Sequence, residues 1–155
     1  MEKEDLYQDF LIICSMRAPF DCKSRMLTFL LAYIEKPWRV VGITEAALKI
    51  FKKNNFKRVP NMKINRSHLV DRYLTHKEML NIKFKNCNDW WDFFYEKDKT
   101  ILATSSENST QTFSRIFEFP SDHNFFKSSG YAWKHNKAEQ KFLQEFYDKN
   151  FTPLG

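Results

Sequence analysis

Residues 100–119 read TILATSSENSTQTFSRIFEF, and three patterns follow one another inside that stretch. Thr100 to Thr104 is a short apolar run bounded by hydroxyl residues, as expected of a buried strand. Residues 105–112 contain no hydrophobic side chain and read as a polar loop. From there Phe113, Arg115, Phe117 and Phe119 alternate with Ser114, Ile116 and Glu118, the period of two of a second strand. A third strand is expected over Gly130 to His135, which makes a small antiparallel sheet.

Outward from this stretch the periodicity is helical. Leu6, Tyr7, Phe10, Leu11 and Cys14 share one face of a helix over residues 3–16, which Pro19 interrupts. A second helix, capped by Asp21 or Ser24, turns Met26, Leu27, Leu30, Leu31 and Ile34 inward and ends at Pro37. Thr44 has the chemistry to cap a third, with Ala47, Leu48 and Phe51 facing in and the end fraying through Lys52, Lys53, Asn54 and Asn55. A loop around Pro60 leads to a fourth helix over Ser67 to Leu80. Asn88 or Asp89 starts an aromatic helix over Trp90 to Glu96. Asn136, with Glu139 three residues on, resembles a capping box for a terminal helix carrying Phe142, Leu143, Phe146 and Tyr147. The expected class is α+β: a helical N-terminal half, a small antiparallel β-sheet and a C-terminal helix. One domain is expected over residues 1–155, with its helical part at about 1–85 and the sheet with its helices at about 86–155.

Composition supports a packed core. Hydrophobic residues make up 43% of the 155 positions, with 16 Phe and only 3 Gly. So little glycine argues against phosphate-cradling loops of the Gly-rich kind. Cys14, Cys22 and Cys87 are odd in number and lack the paired short spacing of a structural zinc site, so reduced, packed thiols are expected. The acidic start Glu2-Lys3-Glu4-Asp5 is unlike a signal peptide, and the apolar runs are far shorter than the roughly 20 residues of a membrane span. The expected setting is cytoplasmic, without a membrane partner.

Charge is distributed unevenly. Residues 1–48 hold 6 basic and 7 acidic side chains, residues 49–85 hold 11 and 2, and residues 86–155 hold 8 and 10. All of the net +6 therefore arises between Lys49 and Lys85. A strip of this kind suits a nucleic-acid backbone, because each phosphate it neutralises releases a condensed counterion. The expected contacts are Lys52, Lys53, Lys57, Arg58, Lys63, Arg66 and Arg72, with DNA favoured over RNA. Arg66, His68 and Arg72 are expected to project together from the fourth helix toward base edges. The connection from Asn54 to Asn65 is much longer than the 3–4-residue turn of a helix-turn-helix.

Two other classes compete. A metal-dependent nuclease would use His68, Asp71 and Asn108, with His123 or His135 as a further partner and a divalent metal as the only cofactor; otherwise no cofactor is expected. An interaction protein covering an acidic partner surface would use Trp90 and Trp91 as anchors, and exposed rings there would equally stack on unpaired bases. The dense Trp90-Trp91-Asp92-Phe93-Phe94-Tyr95 run also suits a helix buried on two sides. Gly130-Tyr131-Ala132-Trp133 matches the aromatic centre of the RNA-recognition motif, but Ser129, Lys134 and the strand order depart from that pattern.

Overall fold

A computed structural model describes residues 2–32, 39–127 and 133–151. The expected positions of Ile34 and Pro37, and residues 130–132 of the expected third strand, lie outside the described residues; residues 133–135 form no strand. The fold class is α+β, built from α1 (Lys3–Ser15), α2 (Phe20–Ala32), β1 (Val40–Thr44), α3 (Glu45–Lys53), β2 (Ile64–His68), α4 (Arg72–Asn81), α5 (Cys87–Lys97), β3 (Thr100–Thr104), α6 (Ser105–Thr110), β4 (Ile116–Glu118) and α7 (Lys137–Phe151). By contact the chain divides into two compact units interleaved in sequence. Residues 2–32 and 68–99 form a helical unit, and residues 39–67, 100–127 and 133–151 form a sheet unit.

In the helical unit, α1 packs on α2 and α5, and α4 on α2 and α5. Leu6, Phe10, Ile13, Leu27, Leu31, Met79, Trp90 and Phe94 make its core. Trp90 is wholly buried, its ring 5.5 Å from Tyr7 and 5.4 Å from Phe10. Three helix starts differ from expectation. The Pro19 carbonyl accepts the first helical N–H groups of α2, which puts Asp21 and Ser24 inside the helix rather than at its cap. Asp71 caps α4 by accepting the Tyr73 N–H, so the fourth helix begins at Arg72 and not at Ser67. Asn86 caps α5 through the Asp89 N–H, two residues before Asn88 and three before Asp89, the expected caps.

The sheet unit carries a four-stranded mixed sheet in the order β2-β3-β1-β4. Its two central strands, β1 and β3, are parallel, and β4 lies antiparallel to β1. The expected sheet was antiparallel throughout; the difference comes from β1, a Val-Val-Gly-Ile-Thr run hidden between a proline and a helix cap. Leu69 donates its N–H to Lys99 at one end of β2, and Ser105 donates to Lys63 at the other, so β2 is antiparallel to β3. α3 packs against β1 and β3, burying Ala47, Leu48 and Phe51 as its spacing required. Phe117 and Phe119 point inward while Glu118 is exposed, which is the alternation seen in sequence. Around Phe119, the rings of Phe126, Phe142 and Phe146 stand at 5.6, 5.0 and 5.0 Å, an edge-and-stack cluster that accounts for much of the phenylalanine content.

The polar stretch 105–112 is not all loop, because α6 forms there without any apolar residue. Thr104 and Glu107 close a capping box. The Glu107 carboxylate does more than cap: Oε2 accepts from Thr104 N–H (2.9 Å), Thr104 Oγ1 (3.0 Å) and Thr44 Oγ1 (2.8 Å), and Oε1 from the Ser114 N–H (2.8 Å) and Ser114 Oγ. Burial would raise its pKa, but the hydrogen bonds from Ser114, Thr104 and Thr44 outweigh that and hold it at about 2.

Two outcomes test this arrangement. A Cβ on Gly42 would stand 2.6 Å from the Phe117 carbonyl oxygen across the β1–β4 pair. Gly42→Val should therefore cost about 1–3 kcal/mol of stability in denaturant unfolding. The Glu107 pKa lies below its ordinary 4.5, so its contribution to stability is complete above that value and is lost as pH falls toward about 2. Glu107→Gln should be less stable than the parent at neutral pH, and the gap should close across that acid window.

Candidate nucleic-acid interface

The division into units also divides the basic strip. Residues 49–67 carry seven basic and no acidic side chains and lie in the sheet unit, whereas residues 68–85, with four basic and two acidic, belong to the helical unit. Across its described residues the sheet unit holds fourteen basic against seven acidic groups, the helical unit ten against eleven. The excess positive charge is thus a property of the sheet unit.

Within it, Lys49, Lys52, Lys53, Lys57, Arg58 and Lys63 are exposed and Arg66 is half-buried on β2. Lys49 pairs with Glu45 one turn back, and Lys52 rests on Tyr147, its Nζ 2.7 Å from the phenol oxygen. Lys52 and Lys53 end α3, where cations suit the helix dipole. Beyond them the chain reverses through Asn55 (φ 52°) and Phe56 (φ 58°). A left-handed phenylalanine is unfavourable, and two contacts hold it there. Its ring is buried in the core, and its carbonyl accepts a hydrogen bond from His135 Nε2 at 2.9 Å. The reversal brings Lys57 and Arg58 out of α3 as an extended segment. The Arg58 guanidinium lies 4.3 Å over the Trp133 ring and donates to the Trp133 carbonyl at 3.0 Å. Asn61 (φ 61°) and Lys63 (φ 53°) are also left-handed. A pocket of about 450 Å³ opens here, lined by residues 58–65 and Trp133.

Arg72, by contrast, is not a surface contact. Its Nε and Nη2 donate to the two carboxylate oxygens of Asp98 at 3.1 and 2.8 Å, and both residues are buried. His68 Nε2 lies 3.1 Å from the same carboxylate. His68 and Arg72 do meet, as expected, but at Asp98 and not on one helix face, because His68 ends a strand and Arg72 begins a helix. Burial would raise the Asp98 pKa; the His68 hydrogen bond and the Arg72 charge outweigh it and keep the carboxyl below its usual range. Nothing in the sequence marks a partner 26 residues away.

Each nuclease candidate has a local structural partner. Asp71 caps α4, and the Asn108 side-chain oxygen accepts from Ser67 Oγ at 2.7 Å. His123 and His135 each turn Nε2 to a backbone carbonyl, of Val40 and Phe56 respectively, and burial lowers both pKa values. His76 shares a 2.9 Å hydrogen bond with Ser24, and its pKa falls to about 4, chiefly by burial and then by the Arg72 charge. Among the described residues no three His, Cys, Asp or Glu side chains are grouped to hold a metal. Trp90 is a core residue and Trp91 is half-buried against it at 6.1 Å. The described helices include none long and apolar enough to cross a membrane.

Asp98→Asn should leave the buried Arg72 charge without its counter-ion and cost about 3–5 kcal/mol in denaturant unfolding. Replacing both partners, Arg72→Met with Asp98→Leu, should cost much less, since no charge is then stranded. No protein-family model, curated protein or solved structure matches the chain.

Proposed function

We propose that the sheet unit binds a nucleic-acid backbone through the segment from α3 to β2, with duplex DNA as the first ligand to test. One observation carries the reading. Seven basic side chains fall within residues 49–67 without an acidic neighbour in sequence, and six of them are exposed. Cations gathered in this way repel one another until an anionic polymer lies against them, and phosphate is the commonest such partner. The segment is also ordered in advance. Phe56 fixes the reversal after α3, and Trp133 fixes Arg58, so the turn and the guanidinium have less entropy left to lose on binding.

Arg72, included in the sequence-based interface, is withdrawn from this one because Asp98 already neutralises it. The contacts proposed are Lys52, Lys53, Lys57, Arg58 and Lys63, with Arg66 at the edge strand. Six phosphate contacts on duplex DNA imply a slope of log affinity on log salt of about −5.4. In a mobility-shift series over salt, Lys53→Glu with Lys57→Glu should reduce that slope by about 2 and weaken binding at least about tenfold. A folded double variant that binds with the parent affinity and slope would overturn the proposal.

A further inference from the structure

The pocket beside Arg58 is concave, and one of the cations that line it is already held in place. Arg58 and Lys63 both line it, and among the described residues no carboxylate does. The Arg58 guanidinium is fixed by the Trp133 ring below and the Trp133 carbonyl at one Nη, which spends one of its five N–H groups and restrains the remainder. Lys63 sits in a left-handed backbone conformation that favours Asn or Gly, and its carbonyl is held by the Ser105 N–H at 2.7 Å. Asn65 accepts from Ser105 Oγ at 3.4 Å through its side-chain oxygen, which leaves its NH₂ as a donor, and Asn61 adds a second carboxamide to the lining.

The geometry points to a recognition pocket for a phosphate monoester, carried on the end of a nucleic-acid strand or on a free nucleotide. The held Arg58 guanidinium and the neighbouring Lys63 ammonium together match the charge of about −2 on such a group, and a planar guanidinium fork suits its oxygens. An internal phosphodiester has one charge, two free oxygens and a sugar on either side, so it lies along a surface more readily than it enters a hollow. Backbone phosphates would thus run over Lys52, Lys53 and Lys57 while a chain end enters between Arg58 and Lys63. The strand-end form rests on the nucleic-acid reading; the free-nucleotide form does not.

The test uses the full chain and internally labelled oligonucleotides of one sequence, phosphorylated at the 5′ end, at the 3′ end or at neither, with fluorescence anisotropy as the readout. One phosphorylated end should bind about tenfold or more tightly than the unphosphorylated strand. Arg58→Gln with Lys63→Gln should abolish that preference, whereas Lys53→Glu with Lys57→Glu should weaken all three oligonucleotides alike and preserve it. In parallel, adenosine monophosphate is compared with adenosine by calorimetry. Discrimination between these two with no oligonucleotide binding supports the pocket in its free-nucleotide form and removes the nucleic-acid reading. Salt-dependent binding of all three oligonucleotides within twofold of one another, with no discrimination between the monophosphate and adenosine, overturns the pocket and leaves the backbone interface standing.

Discussion

The sheet unit is organised around a carboxylate at the carboxyl ends of its two parallel strands. β1 and β3 each pass directly into a helix, so the start of α3 and the start of α6 present unsatisfied N–H groups at neighbouring points of the sheet. Thr44 and Thr104 cap those starts, and Glu107 receives both hydroxyl protons together with the Ser114 donors from the chain entering β4. A single side chain thus ties two helices and the third strand of the central group. The same hydroxyl of Thr44 donates to Glu107 and accepts the Ala47 N–H, so the carboxylate orients the cap that starts α3. α3 in turn delivers Lys52 and Lys53, so the start of the basic segment stands on the helix whose cap this carboxylate orients.

Aromatic packing then converts that placement into a defined surface. Phe51 and Phe56 bracket the end of α3, both buried, and the backbone between them turns through the left-handed region because the second ring must return to the core. His135 closes the turn from the segment that also supplies Trp133, and Trp133 in turn restrains Arg58. The phenylalanine-rich composition therefore has a local consequence: each exposed cation on the reversal stands next to a residue whose ring is fixed in the core. Long basic side chains on a mobile loop would lose much of their electrostatic gain to ordering on contact.

What could be read in advance follows the range of the interactions. α1, α3 and α7 declare themselves through apolar spacing, and the Thr44 cap and the Asn136–Glu139 pair through chemistry within three residues. α6 was equally legible in principle, since Thr104-Ser105-Ser106-Glu107 is a capping-box pattern, but the lack of any hydrophobic position masks a helix held by hydrogen bonds alone. β2 is harder. Ile-Asn-Arg-Ser-His has no apolar alternation because it is an edge strand whose Asn65 and Ser67 bond to the residues of α6. The exposed basic residues were legible as charges, whereas the pocket beside them depends on Trp133 meeting Arg58 across 75 residues.

Charge counted along a chain and charge presented to a partner are different quantities, and this protein separates them in both directions. Arg72 contributes to the strip in sequence but is cancelled by Asp98 inside the helical unit, together with the low-dielectric burial that makes such a pair mutually dependent. The remaining basic residues of 68–85 sit among enough acidic ones that the helical unit has no excess. Between Lys49 and Arg66 the opposite holds: no acidic residue interrupts the run, and the acidic group that most shapes the unit, Glu107, is already saturated by five donors. Glu107 is buried among these donors, whereas Lys52, Lys53, Lys57, Arg58 and Lys63 are exposed to solvent. The unit can therefore depend on a buried negative charge for its architecture while presenting a positive surface, because hydrogen bonding and exposure decide which charges a ligand meets.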